Sequence, residues 1–282
     1  MIHPKLKPTE KFNIDFNPRE LNDIEIPEES KIKAKEYITS DKLSDEEGHS
    51  IMIMLEDCVM LGYDYLYNEK KVIIPEINPS TIFYSNALMS YGMLDHYKEI
   101  LLSKSTEAGK TGGIVNLNHF GTFFQLAANC IVNLQATVES FLNSKIIGNY
   151  EFLDKSGKPR RATINDKMDI GIQVVTSKNF ENQDEYTLIT DLIKLRNNII
   201  HLKPEQKTTN TKYKISFRKT LDFKYYETIV AVRNYVNFYE PNLIEECECG
   251  KEFFYDIFDK SKKNKVLTFK AINFKSRKKR SR

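Results

Sequence analysis

From Leu117 to Phe141 an apolar residue recurs at steps that alternate between three and four: Leu117, Phe120, Phe124, Ala127, Ile131, Leu134, Val138 and Phe141. A mean step near 3.5 keeps one face of a helix apolar over more than three heptads, so the spacing predicts one long helix from Val115 to Lys145. Such a helix packs at a shallow angle in a bundle or against a second copy of itself. Beside the seam, Gln135, Glu139 and Asn143 fall four apart and form a polar row on the same helix.

Other stretches of helical period surround it. A helix starting near Ser80 after Pro79 and running to about Lys104 buries Ile82, Leu88, Met89, Met93, Tyr97, Ile100 and Leu101. From Gln183 to Leu202 the stripe Leu188, Leu192, Leu195, Ile199, Leu202 draws another, stopped by Pro204. Phe223 to Tyr239, rich in aromatics and closed by Pro241, is a further one. Residues 80–259 are therefore expected to form an antiparallel helical bundle and the chain to be all-α, with only minor β elements. Residues 1–79, interrupted by Pro4, Pro8, Pro18, Pro27, Pro75 and Pro79, look like a wrapping arm. The arm carries a short helix at Glu28 to Thr39, a longer one at Ser50 to Tyr67 and a brief strand at Lys71 to Ile74. Residues 149–183 read as a loop-rich insertion, Thr211 to Phe217 as a strand, and 260–282 as a basic tail.

An apolar fraction of 40% with 29% charged residues is that of a soluble globular chain. The start, Met1-Ile2-His3-Pro4-Lys5, lacks the apolar run of a signal peptide, and the stretch Ile51 to Leu66 is broken by Glu56, Asp57 and Asp64. These features lead us to expect a cytoplasmic protein with no membrane partner. Cys58 and Cys130 stand singly in apolar stretches, as buried thiols do. Cys247-Glu248-Cys249 resembles half of a zinc site but has no second pair, and His3, His49, His96 and His119 form no spaced cluster, so neither metal nor cofactor is expected. The Gly109-Lys110-Thr111 run is not a phosphate loop: Lys104 occupies the position of the first glycine that motif requires.

The net charge of +3 hides an asymmetry. Eleven of the 42 Lys and Arg lie from Lys260 onward with no Asp or Glu among them, so residues 1–259 carry −8. Lys278, Lys279 and Arg280 in the tail, and Arg160 and Arg161 in the insertion, are candidate contacts to an RNA backbone; a solvated end that touches nothing is the competing reading of the tail.

Leu195-Arg196-Asn197-Asn198-Ile199-Ile200-His201 places a fixed cation and a titratable imidazole near the end of one helix. Imidazole moves protons at neutral pH and guanidinium holds a non-bridging phosphate oxygen through two hydrogen bonds. RNA brings its own nucleophile, the 2′-hydroxyl, so the pair suffices for metal-free phosphodiester cleavage. Five residues along a helix turn a side chain by about 140°, which splays Arg196 from His201; a two-fold dimer would gather two of each into one cleft. Asn197, four before His201, shares its face. Alternatively, Arg196 pairs with Asp191 or Glu185 and His201 merely closes the helix.

Arg196-Asn197-Asn198-Ile199-Ile200-His201, following a long helix that contains Glu139-Ser140-Phe141-Leu142-Asn143, resembles the HEPN superfamily, whose members carry an Arg-x4-6-His motif in a helical bundle. The likeness spans roughly residues 80–240. It implies a homodimeric, metal-independent endoribonuclease with Arg196 and His201 in a composite site and Glu139 or Asn143 as a polar residue from an earlier helix; in our reading Asn197 orients His201 or the phosphate. It further implies a place in prokaryotic antiviral, abortive-infection or toxin–antitoxin systems, with an antitoxin or sensor as partner. A non-catalytic RNA-binding or regulatory module of the same kind is the alternative.

Overall fold

The computed structural model describes residues 1–12, 27–44, 51–54, 59–106, 114–204 and 212–250. The all-α expectation does not hold: a four-stranded antiparallel sheet precedes the helices. Its strands are β1 (Lys11–Phe12), β2 (Ile51–Met54), β3 (Val59–Tyr67) and β4 (Lys70–Pro75), and β3 pairs with all three others. Within the segment read as a helix from Ser50 to Tyr67, the described residues Ile51–Met54 and Val59–Tyr67 are β2 and β3. Its controlling period is two: Tyr63, Tyr65 and Tyr67 line one face, Gly62, Asp64 and Leu66 the other, an alternation that aromatic and branched residues favour in strands. The expected strand at Lys71 to Ile74 lies within β4. Between β3 and β4 the two residues Asn68 and Glu69 have φ of 48° and 63°, the left-handed pair of a tight hairpin turn.

Helix α1 (Glu28–Thr39), where expected, covers the Asp64 face. Asp64 accepts hydrogen bonds from Tyr37 Oη at 2.5 Å, Ser44 N at 3.0 Å and Ser44 Oγ at 2.9 Å. Lys71, its side chain only 2% exposed, lies 3.7 Å from the same carboxylate and donates to the Tyr37 and Lys42 carbonyls at 2.9 and 2.6 Å. Desolvation pushes the Asp64 carboxyl up, but the bonds from Tyr37 and Ser44 outweigh it and hold the group below the ordinary carboxylate range.

The bundle follows. Helix α2 (Pro79–Thr106) is capped by the Asn78 side chain, which accepts from Ser80 N at 2.9 Å, so the start lies one residue before the expected Ser80. Helix α3 (Leu117–Ile146) is capped by Asn116. Ser80 Oγ meets Ser140 Oγ at 2.9 Å, so the start of α2 lies by the end of α3 and the pair is antiparallel. The seam is buried from Ala127 to Phe141, whereas Leu117 is 82% exposed and Phe120 and Phe124 are half-buried. Phe123, Cys130, Leu142 and Ile146 are buried as well, which makes α3 the central helix, contacted by α2 on one side and by later helices on the other. Each fully buried side chain of that size stabilises by about 1.5–3 kcal/mol, so α3 is the element the fold depends on most. In α2, Leu88 and Leu101 are buried as expected, together with Tyr84, Ala87 and Leu94; Ile82, Met89, Met93, Tyr97 and Ile100 are half-buried.

The insertion at 149–183 is more ordered than its sequence suggests. A tight turn at Asp154 to Lys158 is followed by α4 (Ile164–Asp166), a π-helical turn (Lys167–Gly171) and α5 (Ile172–Thr176), which run on without a break until Ser177 turns left-handed at φ 54°. Thr163 and Asp166 form a reciprocal capping box at its start. Then come α6 (Gln183–Ile200), α7 (Lys214–Leu221) and α8 (Tyr225–Tyr239). Of the expected strand at Thr211 to Phe217, Lys214 to Phe217 opens helix α7 instead: Tyr213, Phe217 and Leu221 recur every four, and Phe217 packs edge-on against Phe120 and Phe124 at 5.2 and 5.1 Å. Asn234 Nδ2 donates to Glu185 at 2.6 Å, placing the beginning of α6 by the later half of α8. No helix among the described residues is long and apolar enough to cross a membrane.

The first residues lace sheet and bundle together. Asn78 N donates to Lys7 O at 2.8 Å and Thr9 N to Glu76 O at 3.1 Å, while Lys5 N donates to Glu245 O at 2.8 Å and Cys247 N to His3 O at 2.9 Å. The segment after α8 is thereby paired antiparallel with the start of the chain.

Candidate functional site

Leu192, Leu195 and Ile199 bury one face of α6 against the bundle, and Leu188 and Leu202 are half-buried at its ends. Arg196 is half-buried on the flank of that stripe. Its Nη1 donates to Asn197 Oδ1 at 3.2 Å, and its Nε is buried without an acceptor among the described residues. Neither Asp191 nor Glu185 takes it, because Asp191 pairs with Lys194 at 3.0 Å and Glu185 accepts from Asn234. His201 is the C-cap of α6, with φ −109° and ψ 40°, and its backbone N–H closes the last turn on Asn197 O at 3.1 Å. Both His201 and Asn197 are exposed. Asn197 therefore orients the guanidinium, where its spacing had suggested the imidazole.

Glu139 is half-buried on α3. It accepts from Gln135 Nε2 at 2.7 Å, as the four-residue spacing of the polar row predicts, while Asn143 accepts from Lys167 Nζ at 2.6 Å. The Tyr186 hydroxyl donates to Asp169, two residues beyond Lys167, so the beginning of α6 lies at the Asn143 end of α3.

Of the expected RNA contacts, Lys278, Lys279 and Arg280 lie outside the described residues. The Arg160 guanidinium is occupied by a two-pronged pair with Asp166 at 2.7 and 2.9 Å and lies over the Phe152 ring. The hydrogen bond from Arg160 and those from Thr163 hold the Asp166 carboxyl far below the ordinary range. Arg161 is exposed.

A cleft of about 780 Å³ opens between α6, α7 and the start of α8. Asp184, Asp191, Asp222 and Glu227 in its walls offset Lys194, Lys219 and Lys224, and neither Arg196 nor His201 borders it, so it does not suit a polyanion. Two features lay beyond sequence reasoning. Tyr63, Tyr65 and Tyr67 stand 50%, 54% and 62% exposed along one face of β3, a row whose period-two signal was present but was read as helix. His3 lies beside Cys249, 246 residues away, a distance that no local spacing can reveal. One ring nitrogen and the sulfurs of Cys247 and Cys249 fall within 4.8 Å of one another, a group among the described residues that could hold a metal ion. Comparison with protein-family models, with curated proteins and with solved structures finds no match to this chain.

Proposed function

We propose that this protein is a metal-independent endoribonuclease of the HEPN type. It acts as a cytoplasmic homodimer in prokaryotic antiviral defence or a toxin–antitoxin system. The observation that carries this reading is the state of Arg196: a half-buried guanidinium, oriented by Asn197, whose Nε lacks an acceptor among the described residues, on the helix that ends at the exposed His201. An unmet buried donor costs about 1–3 kcal/mol, and a phosphate oxygen is the acceptor that a guanidinium fork suits best.

In the proposed reaction the 2′-hydroxyl attacks the adjacent phosphorus and the bond to the 5′-oxygen breaks. The products are a 2′,3′-cyclic phosphate and a 5′-hydroxyl. His201 takes the proton from the nucleophile or returns one to the leaving oxygen, and Arg196 balances the charge that builds on the phosphate. Since His201 leaves the helix at its cap while Arg196 lies on the flank, two copies of the α6 end meeting across a two-fold axis supply a complete set. Glu139 would orient the site from α3, its carboxylate held by Gln135 Nε2 at 2.7 Å.

In a dimeric His201→Ala protein the rate of RNA cleavage should fall by at least about 10²-fold, with cyclic phosphate ends lost in parallel. Cleavage at the parental rate would end the catalytic reading. Removing residues 275–282, which carry six Lys and Arg, should weaken RNA binding and flatten its salt dependence by about 0.7 log units per lost phosphate contact. A second reading, RNA binding without cleavage, is favoured by the exposed tyrosine row on β3, because aromatic rings on a sheet face are platforms for unpaired bases. RNA shifted in a gel yet left intact would select it.

A further inference from the structure

The two ends of the described chain meet in a cluster of nitrogen and sulfur donors. His3 Nε2 lies 2.8 Å from Cys249 Sγ, and the donor atoms of His3, Cys247 and Cys249 all lie within 4.8 Å of one another. The backbone has already brought them there. Pro4 and Glu246 form an antiparallel bridge, Cys247 N donates to His3 O at 2.9 Å, and Lys5 N donates to Glu245 O at 2.8 Å. Gly250 N then donates to Cys247 O at 3.2 Å with Gly250 at φ 65°, a turn that folds the Cys-x-Cys stretch back and presents both sulfurs to the imidazole.

The tautomer is fixed as well. His3 Nδ1 lies 3.2 Å from the Pro4 carbonyl, which can only accept, so Nδ1 carries the proton and Nε2 turns its lone pair toward the sulfurs. A ring held by a backbone carbonyl on one nitrogen, with the other directed at further donors, is the arrangement found in metal-ligating histidines.

We infer that His3, Cys247 and Cys249 bind a zinc ion that staples the start of the chain to the segment after α8. Bond lengths of about 2.0–2.1 Å to nitrogen and 2.3 Å to sulfur imply donor separations of about 3.5–3.8 Å in a tetrahedron. The His3–Cys249 contact must open and the widest pair must close, each by about 1 Å or less. Cys249 is exposed and the other two donors are half-buried, so the ion has an entry path and a water can take the fourth position. Binding displaces the proton of each thiol: two Zn–S bonds and one Zn–N bond form, and two protons pass to solvent. One nitrogen and two thiolates favour zinc over magnesium or calcium, which take oxygen donors. The inference is independent of the ribonuclease reading; this ion is a strut and takes no part in the proposed cleavage.

The full chain, purified under reduction and dialysed against zinc, should retain one zinc per chain by atomic emission. Titrated with cobalt instead, the unmutated protein should develop tetrahedral d–d bands and a thiolate-to-cobalt charge-transfer band, a signature that needs no variant. Cys247→Ser with Cys249→Ser should abolish both readouts, and His3→Ala should weaken zinc binding at least tenfold. Zinc should also slow tryptic cleavage after Lys5 in the parent but not in the double variant. Several results would each overturn the inference: no metal retained and no charge-transfer band, metal retained unchanged by the double variant, or a metal-free chain two hydrogens lighter because Cys247 and Cys249 have joined in a disulfide.

Discussion

Single residues carry sharply different amounts of their own explanation. Arg196 and His201 stand out in the sequence because a fixed cation and a titratable imidazole can together handle a phosphate, and the structure places them at the end of α6; what the spacing does not tell is that Asn197 serves the guanidinium. His3 is the opposite case: the Cys-x-Cys stretch is visible, but its partner lies 246 residues from Cys249 and becomes a neighbour only after folding. Asp64 was noted only as a charge that breaks an apolar run, yet it anchors the sheet layer. Asp64→Asn leaves Lys71 buried without its counter-charge, and breaking such a pair costs about 3–5 kcal/mol, measurable as a lowered urea midpoint. Because the folded-state carboxyl is held below its unfolded value near 3.9, its contribution is complete above that value and disappears as pH falls through the folded one. The thermal midpoint should accordingly be level from about pH 7 to 5 and drop below about pH 4, and the drop should be shallower in the Asn variant. Glu69 is strained by its left-handed turn position. That conformation costs a non-glycine residue about 1–2 kcal/mol, less about 0.5–1 for the added freedom of glycine when unfolded. Glu69→Gly should therefore raise stability by up to about 1 kcal/mol in the same titration.

Elements were legible where one period ruled them. The long run from Leu117 to Phe141 predicts α3 to within two residues at each end, and α6 follows from its stripe because each has one buried face to declare. The reading failed where two periods compete or where a side chain is half-buried. Ser50 to Tyr67 contains apolar residues at helical as well as strand spacing, and the pairing of β3 with three other strands, which no local window contains, decides the matter. Residues 164–176 are helical because the capping box starts them and because the π-helical turn carries Gly171 against the core. A Cβ added to Gly171 would lie 2.7 Å from Phe152 and 2.8 Å from Ile146, both side chains packed in the core. Gly171→Ala should cost about 1–3 kcal/mol through overpacking, seen as a lower thermal midpoint, and replacement of Phe152 by Leu should restore part of it.

At the scale of the molecule, an all-α bundle with an arm becomes a sheet and a bundle that the first dozen residues join. Residues 1–12 pair with β3, with residues 76–78 and with the segment from Glu245 to Cys247, so they hold parts of the protein that have little other reason to stay together. Deleting residues 1–10 should therefore expose the sheet to proteolysis while leaving the helical far-UV signal of α2, α3, α6 and α8 nearly unchanged; loss of both together would mean that the bundle depends on the arm.

The bridge between Pro4 and Glu246 also sets an order in time. A ribosome adding about 5–20 residues per second presents Pro4 some 10–50 seconds before Glu246 exists. The helices can find one another during that interval, and Lys7 to Phe12 can join β3 and residues 76–78, but His3 to Lys5 must wait. The last contact to close is then the one that reports that the chain has been made as far as residue 247, and a product stopped short of it keeps its first residues open to any protease or chaperone that inspects them.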